Sequence, residues 1–439
     1  MTRRRSWMYF AHPSSPIGSF LSWTKAPSAM PMRRESPCFG TRPPRGGERR
    51  PMSARIRSAS CPQVIQRSLR PNSTPLRIKS PRTGREIVLM IESILLFLAL
   101  AFALTFPLAF GAWFWESRKR KTHAVESGFH EELGIPFEQD FELYHNAFSL
   151  CSKKVRVCLA ELNIDYASHP IDLIETGSYE NLSRHFLAVN PEGTVPVLVH
   201  RGHPIYESHE QIRYAANHAT RGAEALVPED PSLVVEMQLW VDRASLTGDD
   251  PIAGMASSAG NCIPGLTLPL FSAMIRDIPL HRILVGLLFH RLRVRPALFL
   301  TMKLAGLSRL RRLKPAVAIV ERSIQQMNTH LDALEAKLDQ GDGAWILGDF
   351  FSLADVSWVV IFDRMREADC TDLFLGGELH PQVTAYRDRL FARSSYAKGI
   401  WNHEHPAVRQ GTQRLRDAKE ASPQLRAVLA GESVRPQGN

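Results

Sequence analysis

Between Ile94 and Trp115 the chain runs 22 residues without a charged side chain, dominated by Leu, Phe and Ala. At 1.5 Å per residue such a helix is about 33 Å long, enough to cross the hydrocarbon core of a bilayer. Pro107 can kink it without forbidding it, and Trp113 and Trp115 stand where an interfacial aromatic belt would lie. Arg118-Lys119-Arg120-Lys121 follow at once. A cleaved signal peptide is the competing reading, but this cluster resists translocation. The expectation is a single-pass span over 90–117 with everything downstream on the cytoplasmic side.

The span divides the charge unevenly. Residues 1–89 hold 18 Lys+Arg against 3 Asp+Glu, which leaves 36 against 41 for residues 90–439, a net of −5. The downstream part is slightly acidic, so nucleic acid is not expected as a partner. Residues 1–89 also hold 12 of the 30 prolines and no apolar period long enough for a helix. They read as a disordered extension outside the working protein, with translation starting at Met90. The rival, a transit peptide, needs an amphipathic helix that these prolines would break. The six cysteines form no CxxC and no cluster with histidines, which suits a reducing compartment and calls for no metal.

After a polar spacer over 118–139, the stretch LYHNAFSLCSKKVRVCLAEL, Leu143 to Leu162, reads as a strand, a turn and an amphipathic helix. Val155, Cys158, Leu159 and Leu162 form its apolar face, and Ser149 sits in the turn. Strands are expected over Phe141 to His145, Asp165 to Ile171, Val197 to His200 and Pro204 to Tyr206. Helices are expected from Ser152, around Tyr179 to Phe186, and from Ser208. The order is βαβ then ββα. Gly193-Thr194-Val195-Pro196-Val197 puts a proline at the first position of a buried strand, and Glu207-Ser208 opens a helix.

These features together resemble the glutathione S-transferases, most of all the serine-type theta and zeta enzymes. The run LYH…S…SxKVR is also similar to the ganglioside-induced differentiation-associated protein branch. The resemblance covers about Phe141 to Trp401. It implies an α/β thioredoxin-like domain over 140–222, then an all-α domain over 227–405, preceded here by one transmembrane helix. It implies a catalytic Ser149 that contacts the glutathione sulfur, and a cis Val195–Pro196 bond that lets the Val195 backbone pair with the cysteinyl part. Glu207 and Ser208 would hold the γ-glutamyl end. The chain departs from the pattern at Gln211, where those families carry an apolar residue.

The chemistry fits the residue types. A thiol with an ordinary pKa of about 8.5 is mostly protonated at neutral pH, and only its thiolate is a good nucleophile. A hydroxyl hydrogen bond and the positive end of a helix both favour the thiolate, and a shift of about two pKa units takes about 2.7 kcal/mol. Taken by itself, however, Ser149 equally suits a plain helix cap, with Ser152 also available as one. The Val195–Pro196 junction alone fits an ordinary turn into a strand.

The remainder reads as helices. Val317, Val320, Ile324, Met327, Leu331, Leu334 and Leu338 form a packing seam, and Ser352-Leu353-Ala354-Asp355 a variant capping box. Ahead of both, residues 261–315 carry ten Lys+Arg against one acid among Leu, Phe, Ile and Met. This basic amphipathic insertion either lies on an anionic leaflet or covers the substrate cleft. Residues 406–439 read as a polar, partly mobile tail. The function expected is a membrane-anchored transferase joining glutathione, its co-substrate, to an electrophilic small molecule. The alternatives are a non-catalytic membrane adaptor of the same fold, or a glutathione-dependent isomerase or dehalogenase. Membrane lipid is the other partner expected, and a homodimer is left open.

Overall fold

The computed structural model describes residues 84–219, 225–248, 250–290 and 294–432. Most of the 1–89 extension, with Arg291 and Arg293 of the basic insertion, lies outside the described residues. The first helix, α1 (Gly84–Lys119), begins ahead of Met90, so residues 84–89 are helical rather than part of a disordered extension. None of its side chains is buried against the rest of the protein.

The spacer that follows is built onto a sheet. A short strand, β1 (Gly128–Phe129), pairs with the last strand of the sheet, and the Ile135 N–H donates to the Gly202 carbonyl at 2.8 Å. No hydrophobic period marks it, because a two-residue edge strand has none. Then come β2 (Phe141–His145), α2 (Leu150–Glu161), β3 (Ala167–Pro170), α3 (Arg184–Val189), β4 (Val197–His200), β5 (His203–Tyr206) and α4 (Ser208–Asn217). The sheet order is β1-β5-β4-β2-β3, parallel between β2 and β3 and antiparallel elsewhere. This is the thioredoxin-like arrangement with an added edge strand. Val155, Cys158, Leu159 and Leu162 are all buried, as the amphipathic period requires.

The helical domain runs α5 (Pro231–Ala244), α6 (Ala259–Leu266), α7 (Leu268–Met274), α8 (Leu280–Phe289), α9 (Val294–Ala305), α10 (Lys314–Gln340), α11 (Leu353–Glu367), α12 (Thr371–Leu375), α13 (Pro381–Ala392), α14 (Ser394–Gly399), α15 (Pro406–Ala421) and α16 (Pro423–Leu429). At its centre is α11, buried on nearly every side and packed on α5 and α2. Its start is fixed as its residues dictate: Ser352 Oγ accepts from the Ala354 N–H at 3.2 Å, and Asp355 accepts from the Ser352 N–H at 2.8 Å. Six of the seven seam positions of α10 are buried, Val320 through Leu338; each is worth about 1.5–3 kcal/mol of burial. Val317 stays half-exposed.

Two expectations are corrected. Within 261–315, α6 and α7 are core helices, with Cys262, Leu266, Leu270 and Met274 buried, which leaves α8, α9 and the helical turn Leu307–Arg312 as surface elements. Of the tail expected to be polar and partly mobile, residues 406–429 instead form α15 and α16, which bury Val408, Leu415, Leu425 and Leu429 against α7 and α10; residues 433–439 lie outside the described residues. Those apolar residues are sparse in a polar sequence, and only their tertiary partners reveal them.

Candidate functional site

The turn before α2 is built by Asn146, a buried residue. Its Oδ1 accepts from the Phe148 and Ser149 N–H groups at 2.9 and 3.1 Å. Its Nδ2 donates to the Ile171 carbonyl and to Thr176 Oγ1, both at 2.9 Å. One side chain thus ties the turn to the segment after β3. Sequence reasoning missed it, although an asparagine at the end of a strand is a recognisable turn former.

Ser149 is the N-cap of α2: its Oγ accepts from the Ser152 N–H at 3.3 Å. Ser152, named as an alternative cap, lies inside the helix, and its Oγ accepts from the Asn146 N–H at 3.2 Å. Capping uses a lone pair of the Ser149 oxygen and leaves its hydrogen free to donate. That hydrogen is directed at the Val195 carbonyl, 3.5 Å away, at the long limit for such a bond. A nearby sulfur anion would be a better acceptor.

The Val195–Pro196 peptide is cis, as the resemblance implied. Gln211, the departure from the pattern, is fully buried, and its Nε2 donates to the Pro196 and Ile205 carbonyls, both at 2.9 Å. A polar residue is accommodated there because it ties α4 to β4 and β5; its Oε1 has no partner.

Glu207 caps α4 with φ of +67°, a left-handed backbone uncommon for a non-glycine residue. Such outliers gather at binding sites, where the surroundings hold them. Its side chain is half-exposed, whereas Ser208 is buried. Buried Lys154 donates to Ser245 Oγ at 3.2 Å and lies within electrostatic reach of Cys151 and Glu207, so the starts of α2 and α4 share a neighbourhood. Burial pulls its ammonium below the usual lysine range.

Cys151 is half-buried in the first turn of α2. Tyr144, on β2, is buried against His169 and Phe186, and burial raises its phenol above the ordinary value. It does not reach the turn.

Behind the turn lies an ionic cluster that joins the two domains. Lys153 Nζ contacts Asp363 and Glu367, each at 2.6 Å, with all three buried. Arg364 pairs with Glu367 at 2.9 Å, lies 3.7 Å over the Phe148 ring and donates to the Phe148 carbonyl. The two acids at i and i+4 at the end of the central helix, Asp363 and Glu367, were the signal for a buried cation. The partner on α2 could not be read from it. Among the described residues no group of three His, Cys, Asp or Glu is arranged to hold a metal.

Two family descriptions match the chain. The glutathione S-transferase N-terminal domain matches residues 148–218, and the C-terminal domain residues 317–389. A 2,5-dichlorohydroquinone reductive dechlorinase of Sphingobium indicum is 26% identical over 303 residues, covering 60% of this chain and 83% of that protein. Glutathione S-transferase TCHQD of Arabidopsis thaliana is 26% identical over 263 residues, covering 59% and 89%. Among solved structures, a beta-etherase from a Sphingobium species has a TM-score of 0.46 at 19% identity, covering 63% of this chain and all of that one.

Proposed function

We propose that this chain, which carries both domains of the glutathione S-transferases, is a membrane-anchored glutathione transferase that joins the glutathione thiolate to electrophilic small molecules. The observation that carries the reading is the Ser149 hydroxyl. It sits at the positive end of α2 with its oxygen engaged in capping, and its hydrogen points at the carbonyl beside the cis proline. In this reading the Ser149 hydroxyl donates to the bound sulfur and, with the α2 N-terminus, holds it as thiolate. The Val195 backbone and Pro196 line the cysteinyl part. Ser208 and the first N–H groups of α4 receive the γ-glutamyl carboxylate, and Glu207 takes its ammonium.

Anchoring rests on α1, most of whose apolar residues are exposed among the described residues: Phe97, Leu104 and Leu108 are each about 70% exposed. Arg118 and Lys119 stack on Phe114 and Trp115 at the basic end, a pattern suited to a cytoplasmic interface.

Retention of the detergent-solubilised chain on immobilised glutathione, followed by turnover of a generic electrophile, tests the activity. Retention without turnover of any electrophile would favour the adaptor reading. Cys151, half-buried two residues past Ser149, favours one second reading, dehalogenation run on the same glutathione thiolate; the Sphingobium relative is named as a reductive dechlorinase. Simple displacement also releases chloride, so the separating result is a chlorinated hydroquinone converted to its dechlorinated hydroquinone, with chloride and glutathione disulfide formed together and no glutathionyl adduct left.

A further inference from the structure

We infer that α8 and α9 form a second membrane contact, which enters the leaflet beside α1 through leucine side chains rather than adhering to it through basic charge. The inference rests on the anchoring reading of α1.

The inner sides of the two helices are committed to protein. Arg282 donates to the Gly177 carbonyl at 2.6 Å, Arg295 pairs with Glu175, and Lys303 donates to the Arg276 carbonyl at 2.8 Å. Gly286 lies so close to the Tyr179 ring that a Cβ there would stand 2.4 Å from it. Several cations that make this stretch basic are therefore bonded to the domain, which weakens the case for electrostatic adsorption.

The outer sides are apolar. On α8, Leu280, Leu284 and Leu288 recur every fourth residue, on one face, and are 46%, 41% and 45% exposed. On α9 the exposed residues Val294, Leu298 and Leu304 continue an uncharged face. Two adjacent helices with exposed aliphatic faces form a patch that a soluble surface rarely carries.

What covers the patch follows from its junction with α1. Trp113 Nε1 donates to the Leu288 carbonyl at 3.4 Å, and the Arg120 guanidinium lies 5.0 Å over the Phe289 ring. Trp113 precedes the first basic residue, Arg118, by five residues, or about 7.5 Å of helix rise. The end of α8 thus meets α1 across the boundary between its apolar run and its charged cluster. The junction is held by further contacts: Glu116 pairs with Arg184, Arg120 donates to the Leu182 carbonyl, and the His123 N–H donates to the Pro191 carbonyl at 3.2 Å. A bilayer around α1 would therefore reach the α8 leucines at headgroup depth, the position of interfacial amphipathic helices.

The test uses the full chain in phosphatidylcholine vesicles, with the photocrosslinker benzoylphenylalanine placed singly at Leu284, at Leu104 in α1, or at the exposed Leu379 of the helical domain. Lipid adducts are read by mass. The expected result is an adduct at Leu284 comparable to that at Leu104 and roughly tenfold above Leu379, retained in about 0.5 M salt because burial is apolar. An adduct at Leu104 with none at Leu284, or a protein–protein adduct at Leu284, overturns the inference and leaves anchoring intact. Loss of the Leu284 adduct in salt overturns insertion. No adduct at Leu104 removes the anchoring reading, and this inference falls with it.

Discussion

Lys153 Nζ lies 2.6 Å from Asp363 Oδ2, and the two residues, on α2 and α11, belong to different domains and are both shielded from water. Asp363 is further held by Arg366 at 2.9 Å and accepts from the Tyr396 hydroxyl at 3.0 Å. Its carboxyl stays below the ordinary range, at about 2: burial opposes this, and the Lys153 and Arg366 charges outweigh it.

Removing one partner leaves an uncompensated buried charge. Lys153→Met is therefore expected to destabilise the folded protein by about 3–5 kcal/mol, read as a lower denaturant midpoint. Adding Asp363→Leu and Glu367→Met would strand Arg366 and Arg364, which pair with those acids, so the triple variant should lose more than the single one. Equal losses for the single and triple variants would show that packing, not charge, matters there.

Ser149→Ala should remove most conjugation while leaving glutathione binding nearly intact, because the lost hydrogen bond favours the thiolate rather than the tripeptide as a whole. Turnover against pH is the measurement: the variant's apparent thiol pKa should rise, so that activity partly returns in alkaline buffer. Cys151→Ala should cost much less. The reverse pattern would make Cys151 the working residue.

Gln211→Leu supplies the apolar residue usual in the resembling families, but takes the donor from two carbonyls, those of Pro196 and Ile205. The expected cost is about 1–3 kcal/mol in stability, with KM for glutathione raised more than kcat is lowered, since the segment at Val195 loosens. Unchanged stability and KM would mean that neither carbonyl needs this donor.

Two histidines set an acid limit. Burial, and then the Arg156 charge, push His145 down to about 2; the same two causes push His403 down to about 4. Arg156 Nη1 donates to His145 Nδ1 at 3.0 Å, which assigns the His145 proton to Nε2, facing Ser168 Oγ at 2.8 Å. Unfolded, each histidine binds its proton near pH 6.5, so the unfolded chain takes up protons that the folded one refuses. This contribution is whole above about pH 6.5 and is lost as pH falls toward the folded values. Unfolding temperature measured from pH 7.5 to 5 should decline less steeply in His145→Gln. Identical slopes would acquit the histidine.

Elements whose signal is local were legible along the chain. The charge-free run specifies α1, the period of 3.6 specifies α2 and α10, and the serine and acid three apart specify the start of α11. Ser149, Val195, Pro196, Glu207 and Ser208 were nameable because their motifs are short and sit at chain turns. Other features depend on residues far apart in the chain. Asn146 acts through Thr176, Lys153 through Asp363, and Gln211 through Pro196. The same holds for the outward face of α8: a leucine ridge and a basic stretch read alike along the chain until the arginines find carbonyls and carboxylates to turn toward. Only packing decides which side of a helix faces protein, because the free energy of a buried polar group depends on a partner its own segment does not contain.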